Sequence, residues 1–87
     1  MNANAAPRSI AEYLEQLRAA LAGADPAMIQ DALYDAEEHL RSELADNPGM
    51  GEADLLAKIV NSYGAPVEVA EIYRTQEATV TRALRQP

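Results

Sequence analysis

The sequence predicts an all-α protein, a small antiparallel bundle of four helices, and three observations point there. Apolar residues recur at helical spacing in four segments, near residues 9–22, 26–46, 52–63 and 66–84. Capping and breaking residues stand where each of those segments begins and ends. The chain has four Tyr but no Trp and no Phe, so Ala, Leu, Ile, Val and Tyr must build the interior. That composition suits closely packed helices better than a sheet. The 87 residues allow one domain. A chain of this size buries roughly 60–65% of its unfolded surface, enough for one modest core but not for a deep catalytic cavity.

Residues 1–8 show no period and read as a flexible arm; residues 9–75 form the helical domain. Ser9 and Glu12 have the spacing of a capping box, and Ile10, Tyr13, Leu14, Leu17 and Leu21 follow as one apolar stripe up to Gly23. Asp25 and Pro26 open the second helix as cap and first helical residue. Its stripe is Ile29, Ala32, Leu33, Ala36, Leu40 and Leu44, closed by Asn47, Pro48 and Gly49. The third helix carries Leu55, Leu56, Ile59, Val60 and Tyr63 on a wide apolar face, with Asp54 and Lys58 spaced to pair on its outside. Gly64 stops it and Pro66 starts the fourth, whose apolar residues are Val69, Ala70, Ile72 and Tyr73. Beyond these the stripe thins to Val80 and Leu84, so residues 76–87 read as a projecting helical extension or a linker. The short loops predict antiparallel neighbours.

Fourteen acidic against seven basic residues give a formal charge of −7. Phosphate backbones and anionic headgroups repel such a surface, so no direct nucleic-acid partner is expected. A helix-turn-helix at Gly64–Pro66 fails for a related reason. The helix after the turn begins Val67, Glu68, Val69, acidic where a reader of base edges carries basic or amide side chains. Cysteine is absent, which removes disulfides, thiolate metal sites and a Cys nucleophile. The first residues lack the pattern of a signal peptide, and no run approaches the roughly 18 apolar residues of a membrane span. A cytoplasmic location is expected.

His39 is the only histidine, and Asp35, Glu37, Glu38 and Glu43 crowd around it. On a helical projection it lies on one flank, roughly 80° off the centre of the second helix's stripe, with Asp35 and Glu43 one turn to either side. Glu38 points to solvent, Glu37 can pair with Arg41, and Tyr34 falls on the exposed face at roughly 140°. Zinc wants three or four strong ligands, and no second His or Cys exists. The expectation is therefore a boundary histidine bonded to a neighbouring carboxylate or backbone group, with no catalytic residue, metal or cofactor. Glu43, about 50° from the centre of the stripe, is expected to snorkel or to meet His39 or a cation from another helix such as Arg18 or Arg74, in a shared polar patch at the bundle edge, because a lone buried charge is costly. Tyr13, Tyr63 and Tyr73 read as core residues with hydroxyls at the rim. Tyr34, Glu38, His39, Val80 and Leu84 are the candidates for interaction.

Three blocks, YLEQLRAAL, DALYDAEEHLRSEL and LLAKIVNSYGAPVEVAEIY, taken in this order, resemble the HAAS-type helical domains of bacterial signalling and membrane proteins, over residues 10 to about 73. Glu37, Glu38, His39, Gly64 and Pro66 are the positions that carry the resemblance. It implies an N-terminal cytoplasmic module without enzymatic activity, tied to sensory or transcriptional signalling and often followed by transmembrane segments. Relatives often place Asp between the Gly and Pro of the turn. Here Ala65 stands in that position, so the start of the last helix should be weaker by roughly 1 kcal/mol.

The expected function is a protein-interaction module, the N-terminal domain of a membrane-associated sensor, offering a helix face to a protein partner or to its own copy. A free-standing adaptor for a transcription regulator is the alternative. A membrane would be reached only through a continuation beyond Pro87, and the Arg-bearing tail is expected to be the run-up to one.

Overall fold

The structure, a computed structural model, describes the backbone of residues 6–85 and the side chains of residues 6–76. Its helices are α1 (Ile10–Ala20), α2 (Pro26–Asp46), α3 (Glu52–Ser62) and α4 (Pro66–Arg85). The described residues contain no strand, and the all-α bundle stands as the periodicity predicts.

Local chemistry sets the helix ends. Ser9 is the extended N-cap of α1, and its Oγ accepts the Glu12 N–H at 3.1 Å. The Glu12 carboxylate does not return to Ser9, as a capping box would have it; it accepts the Arg8 N–H at 2.7 Å. Residues 6–8 of the expected arm are therefore tied to the bundle, and Pro7 is buried. Asp25 caps α2 by accepting the Ala27 N–H at 3.0 Å. At its far end the Asn47 amide donates to the Glu43 carbonyl at 2.7 Å. The N–H groups of Tyr63 and Gly64 both fall on the Ile59 carbonyl, at 2.7 and 3.1 Å, to close α3. This needs a positive φ at Gly64, +127°, a conformation that side chains with a Cβ resist. The start of α4 keeps part of its cap despite Ala65, because the Glu68 carboxylate accepts the Ala65 N–H at 2.8 Å.

Long-range hydrogen bonds of three side chains orient the helices around α1. The Glu52 carboxylate, at the head of α3, accepts the Ile10 N–H at 2.8 Å. The Tyr13 hydroxyl donates to the Gly64 carbonyl at 2.7 Å. The Arg74 guanidinium donates to the Ala20 carbonyl at 2.9 Å and to the Ala22 carbonyl at 2.8 Å. Between its two ties α3 advances only three residues along α1, about 4.5 Å, while its own eleven residues rise about 16 Å. It therefore lies across α1 rather than beside it. From the level of Tyr13 to that of Ala20, α4 runs in the same general sense as α1.

The core follows the stripes. Tyr13, Leu17, Leu21, Ala32, Ala36, Leu40, Leu55 and Leu56 are fully buried, with Ile10, Ile59, Val69 and Ala70 nearly so. Leu14, Ile29, Leu33, Leu44, Tyr63 and Tyr73 pack against them half-buried. Ile72 departs from expectation and is 56% exposed. Val69, Ala70 and Tyr73 define the buried direction of α4, and Ile72 sits about 100° from its middle, so it cannot share that stripe. On the surface Arg41 and Glu37 bond at 2.9 Å as expected. Asp54 and Lys58 form no ion pair among the described residues.

Replacing Arg74 with Met keeps the stem and removes the donors, leaving α1 carbonyls without their cationic partner. The expected loss is about 1.5–3 kcal/mol in urea denaturation. Arg18, whose 3.4 Å bridge to Glu15 is exposed, should lose less than about 0.5 kcal/mol on the same change. Equal losses would remove Arg74 from the role assigned to it.

Candidate interaction site

On α2, Asp31, Asp35 and His39 follow one another at intervals of one turn along a single flank. That flank faces α4 and the end of α3. The His39 imidazole stacks on the Tyr63 ring, with centroids 4.3 Å apart and planes 23° from parallel. This corrects the carboxylate bond expected for it: among the described residues His39 makes no ion pair with Asp35 or Glu43. The reason lies in the fold. Tyr63 arrives from the C-cap of α3 and offers a flat apolar surface, where the ring gains more than it would beside a solvated carboxylate.

Asp35 turns instead toward α4, where the Tyr73 hydroxyl donates to Oδ2 at 3.3 Å. Burial first, then the charge of Asp35, the neighbouring Tyr63, the hydrogen bond to Asp35 and last Asp31 push the Tyr73 hydroxyl above its usual range. Tyr63 is raised as well, by burial and then by Asp35. Every charge that acts on these two phenols is negative. Tyr13, sealed in the core, is pushed further up, chiefly by burial.

The cations expected near this patch are engaged elsewhere. Arg74 holds the end of α1 and Arg18 bonds Glu15, so neither meets Glu43, and the polar patch forecast around that residue does not form. Arg41 is held by Glu37 on the other side of α2.

Between α2 and α4 lies an open groove of about 350 Å³, lined by Asp35, Tyr63, Val69, Ile72, Tyr73 and Gln76. The candidates named from the sequence divide around it. His39 contributes through its stack on Tyr63. Tyr34 is 63% exposed but lies about 100° round α2 from Asp35, and Glu38 is exposed on the outer face. The side chains of Val80 and Leu84 lie outside the described residues. Ile72, Gln76, Tyr73 and Asp35 were not singled out as interaction residues. The available signal was the off-stripe angle of Ile72 together with Asp35 and His39 sharing one flank.

Chemically the groove offers an aliphatic knob, two phenols, an amide and the Asp35 carboxylate, with Asp31 one turn away on α2. Among the described residues no group of three or more His, Cys, Asp or Glu is placed to hold a metal, and no helix is long and apolar enough to cross a membrane. The molecule is thus defined as a small helical module with a polar-rimmed surface groove. Comparison with known families places it more closely: residues 12–72 match the HAAS family model. The chain belongs to the HAAS family. No curated protein and no solved structure matches it.

Two measurements probe this geometry. Tyr63 and Tyr73 titrate above 10.0 in the folded chain, so their stabilising contribution is complete below that pH and is lost as pH rises through the folded values. Asp35→Asn should move both phenolate transitions, followed by ultraviolet absorbance, to lower pH and leave that of Tyr13 in place. A double-mutant cycle of His39→Ala with Tyr63→Leu should give a coupling of about 0.5–1.5 kcal/mol with the helical circular dichroism intact. Zero coupling would reduce the stack to a coincidence of packing.

Proposed function

We propose that the chain is a non-catalytic protein-interaction module for signalling, and that it serves as the cytoplasmic N-terminal domain of a bacterial membrane-associated sensor. The observation that carries the interaction reading is the groove. Ile72, more than half exposed, stands beside Tyr63 and Tyr73 under a carboxylate rim, a mixture of aliphatic, aromatic and polar groups typical of recognition surfaces. Membership of the HAAS family supports the signalling context.

The arrangement fits binding better than catalysis. The phenols are held protonated near neutral pH, His39 has its ring against Tyr63, and the groove is open to water. Reacting groups gain their power in water-excluded sites where several elements converge.

The membrane context rests on the family resemblance and on Arg82 and Arg85 in the tail, which would act as a cytoplasmic-side anchor. An apolar run of about 18 residues or more encoded soon after Pro87 is the expected finding there. A stop codon would leave a free-standing adaptor.

The interaction reading is tested by photo-crosslinking in the producing cells. A benzophenone amino acid placed at Gln76 should give a discrete protein adduct, and one at Ala57, on the exposed side of α3, should not. A chain that yields no adduct from any exposed face of the bundle would sink the proposal.

A further inference from the structure

We infer that the α2–α4 groove docks a basic amphipathic helix of a partner protein, carrying aliphatic residues one turn apart beside arginines one turn apart. The inference rests on the interaction reading above and names the chemistry of the partner.

Charge is the first argument. Asp35 bonds Tyr73 and Asp31 lies one turn before it on the same flank of α2, and among the described residues neither carboxylate has an ion-pair partner: Arg18, Arg41 and Arg74 are committed to Glu15, Glu37 and the α1 carbonyls. Among the described residues Asp35 meets only the long 3.3 Å bond from Tyr73 on one oxygen, which leaves capacity for a guanidinium. The whole chain is at −7, so long-range attraction favours a basic partner and opposes a second copy.

Shape is the second. Asp31 and Asp35 form a ridge with one helical turn of spacing on α2, and Ile72 and Gln76 form another on α4. Two such ridges, each with a repeat of about 5.4 Å, match the side-chain spacing of a third helix laid along the groove. Its aliphatic residues would cover Ile72 and Val69, and its arginines would reach the carboxylates past the tyrosine rings, which favour guanidinium over ammonium. A strand has no comparable seat, because the described residues present no sheet edge.

The test uses the full 87-residue chain and a fluorescein-labelled alanine-based peptide of about 16 residues, long enough to hold a helix. The peptide carries leucine at positions i and i+4 and arginine at i+1 and i+5. Fluorescence anisotropy should report saturable binding at low salt. Asp31→Asn with Asp35→Asn should weaken it by about tenfold, a difference that shrinks as salt is added. Ile72→Ser should weaken it about as much at any salt, and Tyr34→Ser should leave it unchanged. A peptide with glutamate in place of arginine should not bind. All substituted positions are exposed, and circular dichroism confirms that each variant stays folded.

Binding that ignores the groove substitutions, or that treats the two peptides alike, overturns the inference. So does sedimentation showing a dimer that Ile72→Ser dissolves, because the occupant is then a second copy; the interaction reading survives that result. Crosslinked adducts obtained at Gln76 without any peptide binding would likewise overturn the basic-helix assignment alone.

Discussion

A helix of eleven residues is too short to be stable by itself, and each of its ends leaves backbone groups that must find partners elsewhere. In this protein α1 is such a helix, and side chains from α3 and α4 supply its partners. Glu52 brings a carboxylate to its first N–H and Arg74 a guanidinium to its last carbonyls. Both charges have the sign that the helix dipole favours at the end where they sit. Glu52 also lies in the first turn of its own helix, so one carboxylate serves two helix N-termini. With the Tyr13 hydroxyl on the Gly64 carbonyl, these bonds fix where α3 and α4 cross α1. A core without Phe or Trp could not specify those crossings by shape as sharply.

Placement of the groove follows from this. The turn at Gly64 is held by Tyr13 on one side, and the two N–H groups on the Ile59 carbonyl complete it. That turn presents Tyr63 to His39 and starts α4 in the direction that brings Tyr73 to Asp35. The positive φ of Gly64 is part of the same device. A Cβ there would stand 3.4 Å from Cγ2 of Val69 on a backbone that side chains avoid, so the turn, the His39 stack and the floor of the groove share one constraint.

Helix positions, the first two N-terminal caps and the buried stripes were legible in the sequence because each depends on residues within one or two turns of one another. Ser9 and Asp25 cap where their types predict. What could not be read is what joins residues far apart. The bonds of Glu52 to Ile10 and Arg74 to Ala20 span 42 and 54 positions. No local pattern distinguishes these charges from an ordinary solvated face. The misplacement of Ile72 has a different origin. Val69, Ala70, Ile72 and Tyr73 span about 160° of a helix, and treating them as one stripe hid the residue that the core leaves out. The family resemblance was carried by ordered blocks, and it extended over nearly the same residues as the match of 12–72. Of the site, only His39 was singled out in advance, and its partner came from another helix.

The two tasks of α4 fall on opposite flanks. Arg74 and Ile72 are two residues apart, which puts them about 160° from each other around the axis. Arg74 faces α1 and carries structure; Ile72 and Gln76 face outward over α2. Asp35 and Asp31 likewise lie off the buried stripe of α2, whose packing rests on Ala32, Ala36 and Leu40. A residue that does not support the core can change without unfolding the chain, and this is the condition under which a small bundle can adapt its recognition chemistry while its frame stays fixed. The same separation makes loss of binding in a groove variant attributable to the groove.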